Sequence, residues 1–152
     1  MQTYQHNTVN IPYPSRWGII GDIQGRPLVR GILTIDSITE NIVYGTVNFR
    51  GTPIPIEGTW NESTKQISFD SPFASFAGQL LIFDEQAISV RHFILNGNFL
   101  MKPPSIQAGE IGTWLALTDT IRDEPPRYRD PIPTAAAFLL SNLLYGNPLE
   151  FR

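Results

Sequence analysis

The chain has 152 residues and a formal net charge of −3, with 41% apolar and 16% charged residues; this fits one domain with a tail and a filled core, and excludes two full domains or global disorder. Its eleven Lys and Arg residues are spread from Arg16 to Arg152 without a cluster, which argues against a nucleic-acid partner. The only lysines, Lys65 and Lys102, give no polybasic membrane signal. Cysteine is absent, which removes disulfides, thiolate metal sites and a Cys nucleophile, and 12 Gly and 13 Pro beside 9 Phe, 5 Tyr and 3 Trp favour strands and turns over long helices.

Residues 1–15 are assigned to an N-terminal extension. It opens on the polar stretch Met1-Gln-Thr-Tyr-Gln-His-Asn, which lacks both the basic and the apolar regions of a secretory leader, so a cytoplasmic location is expected.

Residues 16–120 read as one β domain of about eight short runs, separated by Gly, Pro, Asn or Asp at intervals of roughly ten residues. The first two runs, 16–23 and 28–36, are joined by the turn-like Gln24-Gly25-Arg26-Pro27. In the third, 42–49, Val43, Gly45, Val47 and Phe49 share one face and Tyr44, Thr46 and Asn48 the other. The fourth, 53–60, puts Ile54, Ile56, Gly58 and Trp60 in phase with Glu57 opposite, and its prolines Pro53 and Pro55 fit an edge, a bulge or a rim. The polar turn Asn61-Glu62-Ser63-Thr64 leads into the fifth, 65–70, and makes the strongest hairpin in the chain. The sixth is 76–83, the seventh a long 88–101, and the eighth 111–118; Asn96-Gly97-Asn98 in the seventh reads as a bulge in one strand or a turn between two.

Short sequential connections imply an antiparallel meander, since a parallel crossover needs a dozen or more residues. The expected fold is therefore mainly β: an antiparallel up-and-down barrel of about eight strands, closed so that it has no free edge, with a two-sheet sandwich as the alternative. Gly-Thr followed by an apolar residue recurs at Gly45-Thr46-Val47, Gly58-Thr59-Trp60 and Gly112-Thr113-Trp114, either because glycine permits the coiling of a small barrel or because the pair is simply common in β proteins.

Residues 121–152 differ in composition. The charged, proline-rich stretch from Arg122 to Pro133 reads as a linker or a strap over the barrel. Thr134 is placed to cap one short helix over 135–145, with Gly146 and Pro148 ending it. Only Ser141 and Asn142 interrupt its apolar surface, so it must be buried on more than one side, plugging a barrel end or docking on a neighbouring subunit. The latter makes a homo-oligomer the expected state. The longest apolar run, 135–140, is far below the ~20 residues of a membrane-spanning helix, so no membrane partner is expected.

The sequence lacks the Gly-x-Ser-x-Gly, phosphate-loop, His-Glu-x-x-His and dinucleotide-binding motifs. With only His6 and His92 as imidazoles, a histidine metal site within one chain is not expected, and no cofactor is implied. His92 falls mid-strand, where a structural histidine is the commoner outcome, and Asn96 and Asn98 share its face as a polar ladder. If that face is internal, the ladder gives a ligand pocket its few placed polar groups; if external, it is solvated surface. Trp17, Trp60 and Trp114 serve either as core bulk or as an aromatic-lined cavity with Tyr44 and Glu57 at its rim. These eight residues, Trp17, Tyr44, Glu57, Trp60, His92, Asn96, Asn98 and Trp114, form the candidate ligand-binding set; no catalytic or metal residue is assigned.

The early Trp17-Gly18, the eight-run meander and the repeated Gly-Thr-Trp resemble the calycin barrels, the superfamily of lipocalins and avidins, over residues 16–118. The lipocalin Gly-x-Trp triplet falls here at Gly58-Thr59-Trp60 and Gly112-Thr113-Trp114, whereas the first run has Arg16-Trp17-Gly18. The polar residues by which avidins hold biotin have no matching positions, so biotin is not carried over. The resemblance implies a barrel that holds a small apolar or amphipathic molecule. A structural, oligomerising protein is the alternative, and a cofactor-free barrel isomerase or cyclase using His92 or Glu57 ranks last, so the expectation leans away from an enzyme.

Overall fold

The computed structural model describes residues 10–121. Eight strands follow one another, β1 (Ser15–Ile23), β2 (Val29–Thr39), β3 (Ile42–Asn48), β4 (Ile54–Asn61), β5 (Gln66–Asp70), β6 (Ala74–Glu85), β7 (Val90–Met101) and β8 (Ile111–Ile121), with one 3-10 turn at Gln86–Ile88. Each pairs antiparallel with the next, and β1 closes on β8 through Gly18↔Leu117 to Ile23↔Gly112. The molecule is thus a closed up-and-down barrel rather than a sandwich, and closure leaves no unpaired edge among the described strands. His6, and the linker and short helix expected in the tail, lie outside the described residues.

Local chemistry explains the connections. Glu40 and Asn41, with φ of 53° and 68°, make the two-residue link between β2 and β3, a left-handed turn whose twist suits a hairpin. The β4–β5 hairpin forms as expected, with Asn61 Oδ1 accepting from the Thr64 backbone N–H at 3.1 Å. Pro55 pairs with Thr46 on β3 but lies beyond the end of β5, whose last pairing is Glu57↔Asp70, so the prolines mark a rim.

The expected bulge or turn at Asn96-Gly97-Asn98 is neither. β7 runs unbroken in register with β6 and β8 from Val90 to Leu100. Gly97 faces inward opposite Gly78, and a Cβ there would lie 1.8 Å from the Ala77 carbonyl oxygen; glycine marks a close backbone approach, not an insertion. The bulge is instead on β2, where the register steps between Ile35 and Ser37.

Alternation sends Trp17, Ile19, Leu33, Ile35, Val43, Val47, Ile56, Trp60, Ile67, Phe69, Phe76, Leu80, Phe93, Leu95, Phe99, Trp114 and Ala116 into one interior cluster. Burying each large apolar side chain contributes about 1.5–3 kcal/mol. Ile11, from the segment ahead of β1, joins the same cluster. Ser15 Oγ anchors that entry by donating to the Pro12 carbonyl and accepting from the Trp17 indole. Among the described residues no helix is long and apolar enough to cross a membrane.

Candidate functional site

The barrel wall divides the eight candidate residues. Trp17, Trp60 and Trp114 point inward and are buried. Their indole N–H groups are all engaged within the protein: Trp17 to Ser15 Oγ (2.8 Å), Trp60 to Glu62 Oε1 (2.8 Å), and Trp114 to the carbonyl oxygens of Ala77 and Asn98 (3.1 Å each). Phe69 stacks on Phe76 at 4.7 Å, Trp114 meets both edge-on at 5.5 and 5.8 Å, and Phe76 packs on Phe99 at 5.5 Å. These rings occupy the barrel beside β5–β8 as a packed core, the arrangement aromatic quadrupoles favour.

Tyr44, Glu57, His92, Asn96 and Asn98 alternate with interior residues and so lie on the outer wall. Tyr44 and Glu57 are cross-strand neighbours and exposed. His92 is 6% exposed, with its ring stacked on Phe83 at a centroid distance of 5.6 Å. Its Nδ1 lies 2.6 Å from Asp119 Oδ1, and because a carboxylate only accepts, Nδ1–H is the donor. Nε2 is buried without a partner among the described residues.

Asn96 and Asn98 belong to a larger outer surface that spans four strands. The register aligns Asn61, Gln66, Gln79 and Asn96 in one cross-strand row, and Thr59, Ser68, Ala77 and Asn98 in the next. At a strand spacing of about 4.8 Å each row spans about 14 Å. Thr59 and Ser68 hydroxyls are 3.1 Å apart. Together these side chains line a concavity of about 620 Å³ with no charged residue among the described residues of its lining; Glu57 and Asp70, paired across β4–β5, lie just beyond it.

Glycines lie beneath this concavity. Gly58, Gly78 and Gly97 occupy inward positions beneath this surface, where any side chain would collide: Gly58 with the Ser68 carbonyl oxygen at 1.8 Å, and Gly78 with the Trp114 ring at 2.6 Å. With no side chain on the inner face at these positions, the wall backbone lies close against its interior neighbours, and the Trp114 indole ties the backbone of β6 to that of β7 from within. Of the eight candidate residues only Asn96 and Asn98 lie on this surface, and Thr59, Asn61, Gln66, Ser68 and Gln79, which share it, were not among them. Thr59 and Asn61 on β4 and Gln66 and Ser68 on β5 carry a signal, a polar parity opposite the apolar one, but Gln79 stands between the outward Ala77 and Leu81 of β6 and joins the row only once register is known.

A second hollow, of about 520 Å³, lies at the barrel end between the turn Gln24-Gly25-Arg26 and Glu110-Ile111. Arg26 closes it with a two-pronged ion pair to Glu110 (2.9 and 2.7 Å), and these hydrogen bonds hold the Glu110 carboxyl below its ordinary value. Among the described residues no group of three His, Cys, Asp or Glu side chains is placed to hold a metal ion.

The closed eight-stranded meander is consistent with the calycin type of architecture. No protein-family model, curated protein or solved structure matches the chain.

Proposed function

We propose that the protein is a binding barrel whose recognition surface is the outer wall, and that the concave face of β4–β7 takes a neutral, hydroxyl-rich ligand such as a short oligosaccharide. The observation that carries this reading is the pair of rows, Asn61-Gln66-Gln79-Asn96 and Thr59-Ser68-Ala77-Asn98, lining a concavity with no charged residue among its described lining. Amide and hydroxyl groups both donate and accept, as sugar hydroxyls do, and a row of them offers repeated complementary contacts without selecting for charge. An apolar ligand inside the barrel, the expectation from the calycin resemblance, would have to displace the Phe69, Phe76, Phe99 and Trp114 rings, whereas the outer face is already open.

Among the described residues no aromatic side chain lines the face, so binding rests on hydrogen bonds exchanged with water, and a dissociation constant near 1 mM, about −4 kcal/mol, is expected. Titration of isotope-labelled protein with neutral gluco-, xylo- and N-acetylglucosamine oligosaccharides should shift the side-chain amide resonances of Gln66, Gln79, Asn96 and Asn98. Gln79→Ala with Asn96→Ala should abolish the shifts that remain observable at Gln66 and Asn98. If every sugar leaves these amides unmoved at tens of millimolar, the reading fails.

A further inference from the structure

A second part of the outer wall is built differently. Ile20 on β1, Leu115 and Leu117 on β8, Ile94 on β7, and Leu81 and Phe83 on β6 all face outward, and register makes them contiguous through Ile20↔Leu115, Ile94↔Leu117 and Leu81↔Ile94. Ile20, Ile94 and Leu117 form a buried cluster of their own, separate from the interior, with Leu115 packed against it. They are 5%, 8% and 1% exposed. Consecutive residues such as Ile19-Ile20, Ala116-Leu117 and His92 through Leu95 are therefore buried on both faces of the sheet, the pattern of a strand with a layer over it. The described strands form one wall and provide no such layer.

The tail of the chain has the right chemistry for the cover. β8 is itself part of this band and ends at Ile121, only four residues beyond Leu117, or about 13 Å. Residues 122–133 follow as a proline-rich linker able to extend about 37 Å at 3.1 Å per residue, ample to turn back. Residues 135–145 then supply Ala135, Ala136, Ala137, Phe138, Leu139, Leu140, Leu143 and Leu144. The other stretch outside the described residues, 1–9, is polar. His92 Nε2, buried and unpaired at the margin of the band, calls for a polar group from whatever covers it, and Ser141 and Asn142 are polar residues of the same tail segment.

We infer that residues 135–145 dock as an apolar helix on the outer band of β7, β8 and β1 of their own chain, with the half-exposed Leu81 of β6 at its edge. The tether favours the same chain over a second copy, because it sets an effective concentration in the millimolar range, far above the micromolar concentration of a dilute second copy.

The chain has no cysteine, so Thr113→Cys on the exposed outer surface of β8 gives the full-length protein a single nitroxide attachment point beside Leu115. When the nitroxide and isotope label are on the same chain, paramagnetic broadening of the 135–145 resonances is expected. When isotope-labelled natural chain is mixed with unlabelled, nitroxide-bearing chain, those resonances should stay sharp. Sharp resonances in the first sample overturn docking, and broadened resonances in the second overturn the same-chain assignment in favour of a partner copy. As an independent measure, Leu139→Asp with Leu143→Asp in the full chain should raise the fluorescence of an added apolar dye several-fold while near-ultraviolet circular dichroism reports an unchanged barrel; unchanged dye binding would overturn the inference.

Discussion

Leu117 and Leu81 point out of the same wall at opposite extremes, 1% and 50% exposed. Truncating each to alanine weighs the layer over the band. At Leu117 the loss combines the transfer free energy of a wholly buried side chain with a cavity its neighbours only partly fill, so Leu117→Ala should cost about 3 kcal/mol. At Leu81 half the side chain already meets water, and Leu81→Ala should cost about 1 kcal/mol or less. For a urea slope of about 1.5 kcal/mol/M, the midpoints should fall by about 2 M and by at most about 0.7 M. The assay is urea unfolding followed by tryptophan fluorescence, with circular dichroism as a second probe to confirm a single transition. A double-mutant cycle of Leu117→Ala with Leu139→Ala should give a coupling of about 1 kcal/mol if the tail segment is the cover, since residues in contact are not additive. Equal costs at Leu117 and Leu81 would refute the reasoning that the outer band is a second core, and a full cost at Leu117 without coupling to Leu139 would place a different element over it.

Gly97→Ala forces a Cβ toward the Ala77 carbonyl oxygen at 1.8 Å, a backbone atom that cannot rotate away. It should destabilise by about 2–3 kcal/mol in the same urea assay and deplete the polar concavity above it. Trp114→Phe removes the donor shared by the Ala77 and Asn98 carbonyls and should cost about 1–3 kcal/mol, with shifted amide resonances on β6 and β7 as the local signature. For Glu110, Arg26 lowers the folded-state value relative to the unfolded one, so the pair's contribution is present above the unfolded value and lost as pH falls through the folded one. Arg26→Met should return Glu110 to the ordinary carboxylate range in a carbon-detected NMR titration, and the effect should shrink in high salt because the pair is surface-exposed.

The strands were legible because their alternation is strong and their punctuation regular. Val43-Tyr44-Gly45-Thr46-Val47 on β3, and Ile67 and Phe69 inside against Gln66 and Ser68 outside on β5, need no tertiary information to read. The antiparallel meander followed from short connections, whereas closure was expected only from the need to remove free edges and stood beside a sandwich until β1 was seen to pair with β8. What a single strand cannot show is its register with the next, and the polar face depends on register: Gln79 means little until it stands between Gln66 and Asn96. The orientation of His92, Asn96 and Asn98 was available in principle, since Phe93, Leu95 and Phe99 occupy the opposite parity. Ile94 obscured it by placing an apolar residue on the outer face, where the wall is buried from both sides. Asn96-Gly97-Asn98 misled for a related reason, because the glycine that resembles a turn signal serves the contact of β7 with Gly78.

The placement of the tryptophans determines what light can report. Trp17 and Trp60 are enclosed in the interior with their N–H groups bonded to neighbours in the chain, so their emission should be blue and indifferent to events on the outside. Trp114 is enclosed as well, yet its N–H grips the carbonyl oxygens of Ala77 and Asn98, which belong to the floor of the polar concavity. A guest on the far side of that floor would never touch an indole, but it would tug on the acceptors of one. A guest held there, as proposed above, should therefore change the emission of a single tryptophan, and Trp114→Phe should abolish that change, although no aromatic side chain is among the described residues of the surface itself.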